Sequence, residues 1–259
     1  MIIRRLRLQA ARHNWFGVAV DLAILILGVF LGIQVNNWNQ ERIERNKGAE
    51  YRERLAEDMA ANVKDLSDRR AYYSVTRDYA QAALDALDHA QKRDPAAFLV
   101  DAYQASQITP RKMRRFTYDE VLSTGNVENL GDAEFREHLA NYYSGLATIE
   151  ITFDNVPPYR EHIRTGMPSR AQQAVRTQCA EIIRFDPQGT TVAYLPANCA
   201  IRLDPSEAAE DARAVRAIPG IKGDLARLIA DLDVKLLLVD TFQKRAGDMR
   251  RRIREDQRA

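Results

Sequence analysis

The sequence predicts a mainly α-helical protein, in which an N-terminal transmembrane helix precedes a bundle of long helices with a small disulfide-closed loop or hairpin. Three observations predict this fold class. Residues 15–38 are almost continuously apolar. Beyond them, apolar side chains recur every three or four residues over long stretches, which is the period of an amphipathic helix. Glycine and proline are sparse, at 12 and 9 of 259 residues, which favours helix over loop.

The apolar stretch reads WFGVAVDLAILILGVFLGIQVNNW, with Asp21 and Gln34 as its polar exceptions before the exit. A helix of about 20 apolar residues crosses a hydrocarbon core about 30 Å thick. Trp15 and Trp38 would then lie roughly 35 Å apart and anchor the helix at the two interfaces. A secretory signal peptide is the alternative, because a basic segment precedes the stretch. No small-x-small cleavage site follows it, so an uncleaved anchor is the favoured interpretation.

The charge around this stretch predicts its orientation. Residues 1–14 form a short tail with four arginines and no acid, which the positive-inside tendency places in the cytoplasm. Arg42, Arg45 and Lys47 weaken the local contrast, but a long domain crosses largely regardless of its charge. We therefore expect a single-pass protein of the bacterial inner membrane, with residues 39–259 as an exported, periplasmic helical domain. The opposite orientation is the alternative.

One face of the predicted span is unusual. Gly17, Asp21, Leu25, Gly28 and Gly32 follow one another at spacings of three or four, which is a single helical stripe. Small residues at G-x-x-x-G spacing let a second helix approach closely, and a carboxyl at this depth costs about 2–3 kcal/mol. We expect this stripe to contact a partner helix, either in a homo-oligomer or in another protein. The alternative is an ordinary span surrounded by membrane lipid, whose acid reaches to the interface.

Two segments of the chain resemble an uncharacterised family of bacterial single-span membrane proteins. Asp21, Gly28 and the run NNWNQER at 36–42 are similar to that family's acidic residue early in the span, its mid-span glycine and its N-N-W-N-[EQ]-x-R exit. Family members more often carry glutamate at the position of Asp21. Residues 118–143 resemble the family's small-small-Gly turn before a helix that ends in paired tyrosines. The resemblance implies an architecture and no reaction.

The exported domain divides at its helix breakers. Residues 39–92 contain no proline and one glycine, Gly48, and predict a single long helix. Residues 95–165 predict shorter helices separated by proline and glycine. Residues 205–256 predict C-terminal helices, the last of which would pack against the long helix or form a coiled coil between chains.

The region 179–199 is the one loop-rich part of the sequence. A turn signature, DPQG at 186–189, separates two short β-prone runs. Cys179 and Cys199, the two cysteines of the chain, flank it and predict a disulfide, which would add roughly 3 kcal/mol of stability. Such a bond forms in an oxidising compartment, whereas a cytoplasmic domain would keep both thiols reduced.

No motif in the sequence predicts a reaction. Phosphate-binding glycine loops and the G-x-S-x-G nucleophile elbow are absent from it, so we predict no enzymatic activity and no cofactor. The two Glu-His pairs, at 137–138 and 161–162, do not fit a zinc pattern, and no metal site is predicted. The near-neutral body argues against nucleic acid. The basic run RKMRR at 111–115 is interpreted as a solvated loop paired with acids, with phosphate or lipid headgroups as the alternative.

We therefore expect a structural or interaction subunit that associates through its span and its long helices, with no small-molecule substrate identified. The alternative is a sensor or an accessory subunit of a membrane transporter or channel. In that case Asp21 would couple the span to the exported domain.

Overall fold

The computed structural model describes residues 15–185 and 190–256, and it confirms the predicted fold class: long helices with one small hairpin closed by a disulfide. The expected basic tail and the DPQG turn lie outside the described residues. The helices are α1 (Trp15–Asp88), α2 (Pro95–Gln104), α3 (Phe116–Ser123), α4 (Ala133–Asp154), α5 (Pro158–Gly166), α6 (Ser169–Gln178), α7 (Pro205–Arg216) and α8 (Ile221–Asp256). The strands are β1 (Ile182–Phe185) and β2 (Thr191–Tyr194), and short 3-10 turns cover Ala90–Lys92 and Val127–Leu130.

Helix α1 joins the candidate span and the long helix of the body in one element of 74 residues. No proline interrupts it, so nothing in the chain forces a break. Gly48 lies where the backbone of Asn129 comes closest, and a Cβ at this position would overlap the Asn129 carbonyl oxygen. The helix ends at Asp88, and a 3-10 turn follows where the sequence predicted a helix up to residue 92.

Helix α8 runs antiparallel along the part of α1 that belongs to the body. Ion pairs between Lys222 and Asp88 and between Arg77 and Asp233 mark the register, each at 2.5 Å. Along α8 every third or fourth side chain is buried, and most of these are apolar: Leu225, Leu228, Leu232, Val239, Phe242, Ala246, Met249 and Ile253. This burial is the main stabilising contribution to the bundle, because each such large side chain is worth about 1.5–3 kcal/mol.

The remaining helices complete the bundle around this pair. Helix α4 packs along α8, and α2 and α5–α7 pack at the end of α1 that is far from the candidate span. Three of these helices begin at an aspartate whose carboxylate accepts a hydrogen bond from the first turn: Asp94, Asp132 and Asp204. A cap of this kind typically contributes about 1 kcal/mol, so each start is fixed locally by the sequence.

The hairpin packs on the side of α1. Strands β1 and β2 are antiparallel, and the predicted disulfide between Cys179 and Cys199 is present, with a Cα–Cα distance of 5.8 Å. The Gln104 Nε2 donates to the Cys179 carbonyl oxygen at 2.8 Å, and the Tyr79 hydroxyl donates to the Pro196 carbonyl oxygen at 2.5 Å. The hairpin is therefore fastened to the bundle at its base.

Candidate membrane-helix interface

The first part of α1 is long and apolar enough to cross a membrane. Its most apolar 18-residue window has a mean hydropathy of 2.5, and none of that window is buried in the folded chain. The core helix of a soluble protein can have the same composition, but its apolar face is covered by the rest of the protein. Here Trp15 and Trp38 are 69% and 62% exposed, and every large apolar residue from Val20 to Val35 is exposed. This helix is compatible with a membrane anchor.

The candidate span stands clear of the body. Gly48 is the first buried residue of α1, so none of the 33 residues before it is buried. At 1.5 Å per residue this free segment is about 50 Å long. Trp38 and Gly48 are separated by ten residues, so a helical neck of about 15 Å connects the end of the span to the base of the body, and its last turns face the 3-10 turn at Glu128 and Asn129.

Four of the five residues of the predicted stripe are exposed in the described part of the chain: Asp21, Leu25, Gly28 and Gly32. A Cβ built on Gly28 or on Gly32 would meet no atom within 4 Å. Asp21 lies on the same face of α1, and it too is exposed. Asp21, Leu25, Gly28 and Gly32 therefore form a shallow face that the body of the protein does not fill, and Gly17 at the start of the stripe is partly buried. A second helix can approach such a face closely.

The same side of α1 stays open where the helix enters the body. Glu50, Glu53 and Glu57 are exposed. Because each residue of an α-helix is rotated by about 100° from the one before it, the positions of these glutamates around the helix axis lie within about 60° of that of Gly32. None of the three forms an ion pair with another residue in the described ranges. In this part of the chain α1 is contacted by α8, by α3 and by the 3-10 turn Val127–Leu130, and these contacts leave the three glutamates exposed.

Inside the bundle lies a buried polar cluster that sequence reasoning missed. Arg69 is fully buried, and its Nε donates to Asp65 at 2.6 Å. Arg111 forms an ion pair with the same carboxylate. The Arg69 guanidinium lies 5.1 Å from the ring centre of Phe153, which adds a cation–π contact. A signal was available, because Arg69 occupies a core position of the apolar repeat of α1.

Lys235 is the second buried cation, at the position where the apolar repeat of α8 is interrupted. Its Nζ donates to the carbonyl oxygens of Phe153 and Asn155, at 3.2 and 3.4 Å. Burial lowers the pKa of this amine. The two carbonyls lie where α4 ends, and a cation at a helix C-terminus is favourable. This lysine therefore fastens α8 to α4, and its neighbours give it a structural role.

The basic run 111–115 is mostly paired with acids. Arg111 binds Asp65, Lys112 lies 2.6 Å from Asp154, and Arg115 lies 2.8 Å from Asp119. The interpretation of this run as a loop paired with neighbouring acids accounts for these three cations. The remaining cation of the run is Arg114.

The two Glu-His pairs do not come together. The His138 Nδ1 lies 2.8 Å from the carbonyl oxygen of Glu134, and the His162 Nδ1 lies 2.6 Å from Asp224. Across residues 15–185 and 190–256, no group of three or more His, Cys, Asp or Glu residues is arranged to hold a metal ion. These histidines belong to the surface of the bundle.

Comparisons with family models, curated proteins and solved structures found no match to this chain. The resemblance to single-span membrane proteins therefore stays a prediction, and the function must be argued from the geometry. Its most distinctive feature is the uncovered stripe at the start of α1.

Proposed function

We propose that this protein is a single-pass subunit of the bacterial inner membrane, with a structural or interaction role and no enzymatic activity. It associates with a second transmembrane helix, from another copy or from a partner protein, through Gly17, Asp21, Gly28 and Gly32. The observation that carries the proposal is the open face at Asp21, Gly28 and Gly32, on a helix that has no buried residue before Gly48. A helix of this kind can satisfy its glycine face only through another molecule.

The position of Asp21 supports a helix partner over lipid alone. A carboxyl at this depth costs about 2–3 kcal/mol, and a hydrogen-bond donor on a second helix would offset part of that cost. Gly28 and Gly32 lie on the same face and let the two backbones approach. The neck beyond Trp38 supports the same proposal, because it holds the body away from the space that a partner would occupy.

The disulfide supports an exported body. A bond between Cys179 and Cys199 persists in the periplasm, whereas cytosolic thiols are kept reduced. With the body outside, residues 1–14 lie in the cytoplasm and residues 39–259 in the periplasm. Reporter fusions at the two ends test this orientation, and a cytoplasmic signal from the C-terminal fusion would contradict it.

The association is tested by enlarging the stripe. The double variant Gly28→Leu, Gly32→Leu fills the groove, and we expect it to lose crosslinked and co-purified complexes in mild detergent. The matched control is Ala23→Leu, which adds a large side chain on the opposite face of the same helix. A wild-type chain that is monomeric and without a membrane partner would contradict the proposal. So would a double variant that assembles as well as the control.

A sensor or accessory subunit is the second candidate, because α1 continues without a break from the candidate span into the core of the body. A movement of the span would therefore shift the packing of α8 against α1. Asp21→Asn removes the charge and keeps the shape of the side chain. In membranes, we expect it to change hydrogen exchange in α8 if the coupling exists. Unchanged exchange with unchanged assembly would rule out the coupling role of Asp21.

A further inference from the structure

A cleft with a volume of about 660 Å³ lies on the body, far from the stripe. It is bounded by α1, by the loop before α3 together with the start of α3, by Glu150 of α4, and by Thr190 and Val192 of the hairpin. Its apolar surface comes mainly from Ala61, Met113, Phe116 and Val192. A concave, largely apolar site with a few polar groups is the usual form of a ligand site.

The charges around this cleft are paired, with one exception. Lys64 lies 2.7 Å from Asp68, and Lys112 and Arg115 form the ion pairs with Asp154 and Asp119 given above. Arg114 also lines the cleft, but its guanidinium has no ion pair or hydrogen bond with any residue in the described ranges. Of the cations that line the cleft, it is the one without a carboxylate partner among residues 15–185 and 190–256.

The backbone of Arg114 is held from both sides. Asn62 is fully buried, and its Oδ1 accepts a hydrogen bond from the Arg114 amide at 2.8 Å while its Nδ2 donates to the Arg114 carbonyl oxygen at 2.8 Å. The Met113 amide donates to Glu150 at 2.8 Å. The base of the arginine side chain is therefore fixed before any ligand arrives, and less ordering entropy is lost on binding.

An exposed aromatic side chain stands beside this arginine. Phe116, at the start of α3, is 75% exposed, whereas Met113 and Val192 are buried in the wall of the cleft. A guanidinium pairs with carboxylates through two parallel hydrogen bonds, and an exposed ring next to it offers an apolar surface. The chemistry that fits both is a carboxylate with an apolar group attached close to it.

The position of the cleft excludes the lipid surface as the source of this group. The lining residues of α1 lie between 61 and 68, which is 23 to 30 residues beyond Trp38. Along a helix this distance is about 35–45 Å, well beyond the reach of headgroups at the end of the span. Two sources remain, the C-terminal end of a polypeptide and a free small carboxylic acid.

We propose that this cleft binds a carboxylate that carries an adjacent apolar group. The Arg114 guanidinium pairs with the carboxylate, and Phe116, Met113 and Val192 receive the apolar group. This site is separate from the stripe on the candidate span, and it gives the body a recognition function of its own.

The test is titration calorimetry on the purified full-length protein in mild detergent. The probes are N-acetyl-leucine, its neutral amide, and a pentapeptide that ends in leucine with a free carboxylate. We expect both carboxylates to bind and the amide to bind at least about tenfold more weakly, since a buried or paired charge interaction of this kind is worth over about 1.4 kcal/mol. A pentapeptide that binds more tightly than N-acetyl-leucine identifies a chain terminus as the ligand, and equal affinity identifies a small acid.

Two variants and one control locate the site. Arg114→Gln should weaken binding of the carboxylate probes about tenfold, and Phe116→Ala should weaken it severalfold. Arg115→Gln removes a neighbouring arginine that is already paired with Asp119, and it should leave binding unchanged. All three residues are at least partly exposed, and thermal melting checks that each variant folds. Equal binding of acid and amide, no binding of either carboxylate at 10 mM (on the order of −3 kcal/mol), or full affinity in Arg114→Gln would overturn the proposal.

Discussion

Helix α1 contains two regions with opposite surroundings: the part before Gly48 is exposed, and the part beyond Gly48 is packed into the body. Beyond Gly48 its inner face is buried, mainly under α8, with large apolar side chains such as Leu66 fully covered. Before Gly48 no residue is buried, and glycines take the place of large side chains on the face that is free to meet a partner. In water, burial of large apolar groups drives helices together, whereas in lipid close approach of small residues does so. Under the association proposed above, one helix follows a different packing rule in each half.

The largest expected effect comes from removing a large side chain in the buried half. Leu66→Ala should lower the free energy of unfolding of the body by about 2–5 kcal/mol, because it leaves a cavity in a close-packed core. Leu31→Ala, in the free half and outside the stripe, is the matched control and should leave that free energy unchanged. Denaturant unfolding followed by circular dichroism measures both. If the two variants lower the free energy of unfolding equally, the contrast between the buried and the free half of α1 is wrong.

The disulfide gives the next effect. Reduction of Cys179–Cys199 should lower the stability of the body by roughly 3 kcal/mol, because it frees a closed loop of about 20 residues in the unfolded state. Unfolding with and without reductant measures the change. The variant with alanine at both positions serves as the control, since reductant should not affect it. Association through the stripe should survive reduction, and its loss would mean that the hairpin takes part in assembly.

The sharpest comparison uses two glycines of the same helix. Gly48→Ala should destabilise the body by about 1–3 kcal/mol, since the added methyl group would overlap the Asn129 carbonyl oxygen. Gly32→Ala places the same methyl group in open space, and the stability of the body should not change. Its effect should appear only in the crosslinking yield of the assembled protein. If Gly48→Ala melts like the wild type, the contact between α1 and Asn129 does not limit packing.

The parts of the fold that depend on local pattern could be predicted from the sequence. The apolar stretch, the long helices and the cysteine-flanked loop each have a signature within a short run of residues. The end of α1 was less certain, because nothing as strong as proline marks the change to a 3-10 turn after Asp88. The apolar repeats put Arg69 and Lys235 at core positions, but the sequence could not show that these cations are buried, because their burial depends on partners such as Asp65 and the Phe153 carbonyl, which only packing brings close.

The two candidate sites also differ in how far the sequence predicts them: the stripe has a local pattern, whereas the cleft depends on tertiary packing. The stripe at Gly28 and Gly32 follows from helical spacing alone, and the structure adds that the body leaves it uncovered. The cleft around Arg114 is assembled from four segments that are far apart in the sequence. A linear reading shows four cations in the run 111–115, but only the folded chain shows which of them have acids beside them.

Because α1 is continuous through the neck, a tilt of the candidate span would also move the body. With Trp38 at a bilayer surface, the 50 residues from there to Asp88 form an arm about 75 Å long. A change of only 10° in the tilt of the span then displaces the far end of the bundle sideways by about 13 Å. Tilt responds to the match between helix length and bilayer thickness. A small change in the membrane thus becomes a large change in where the body, with its cleft, is presented.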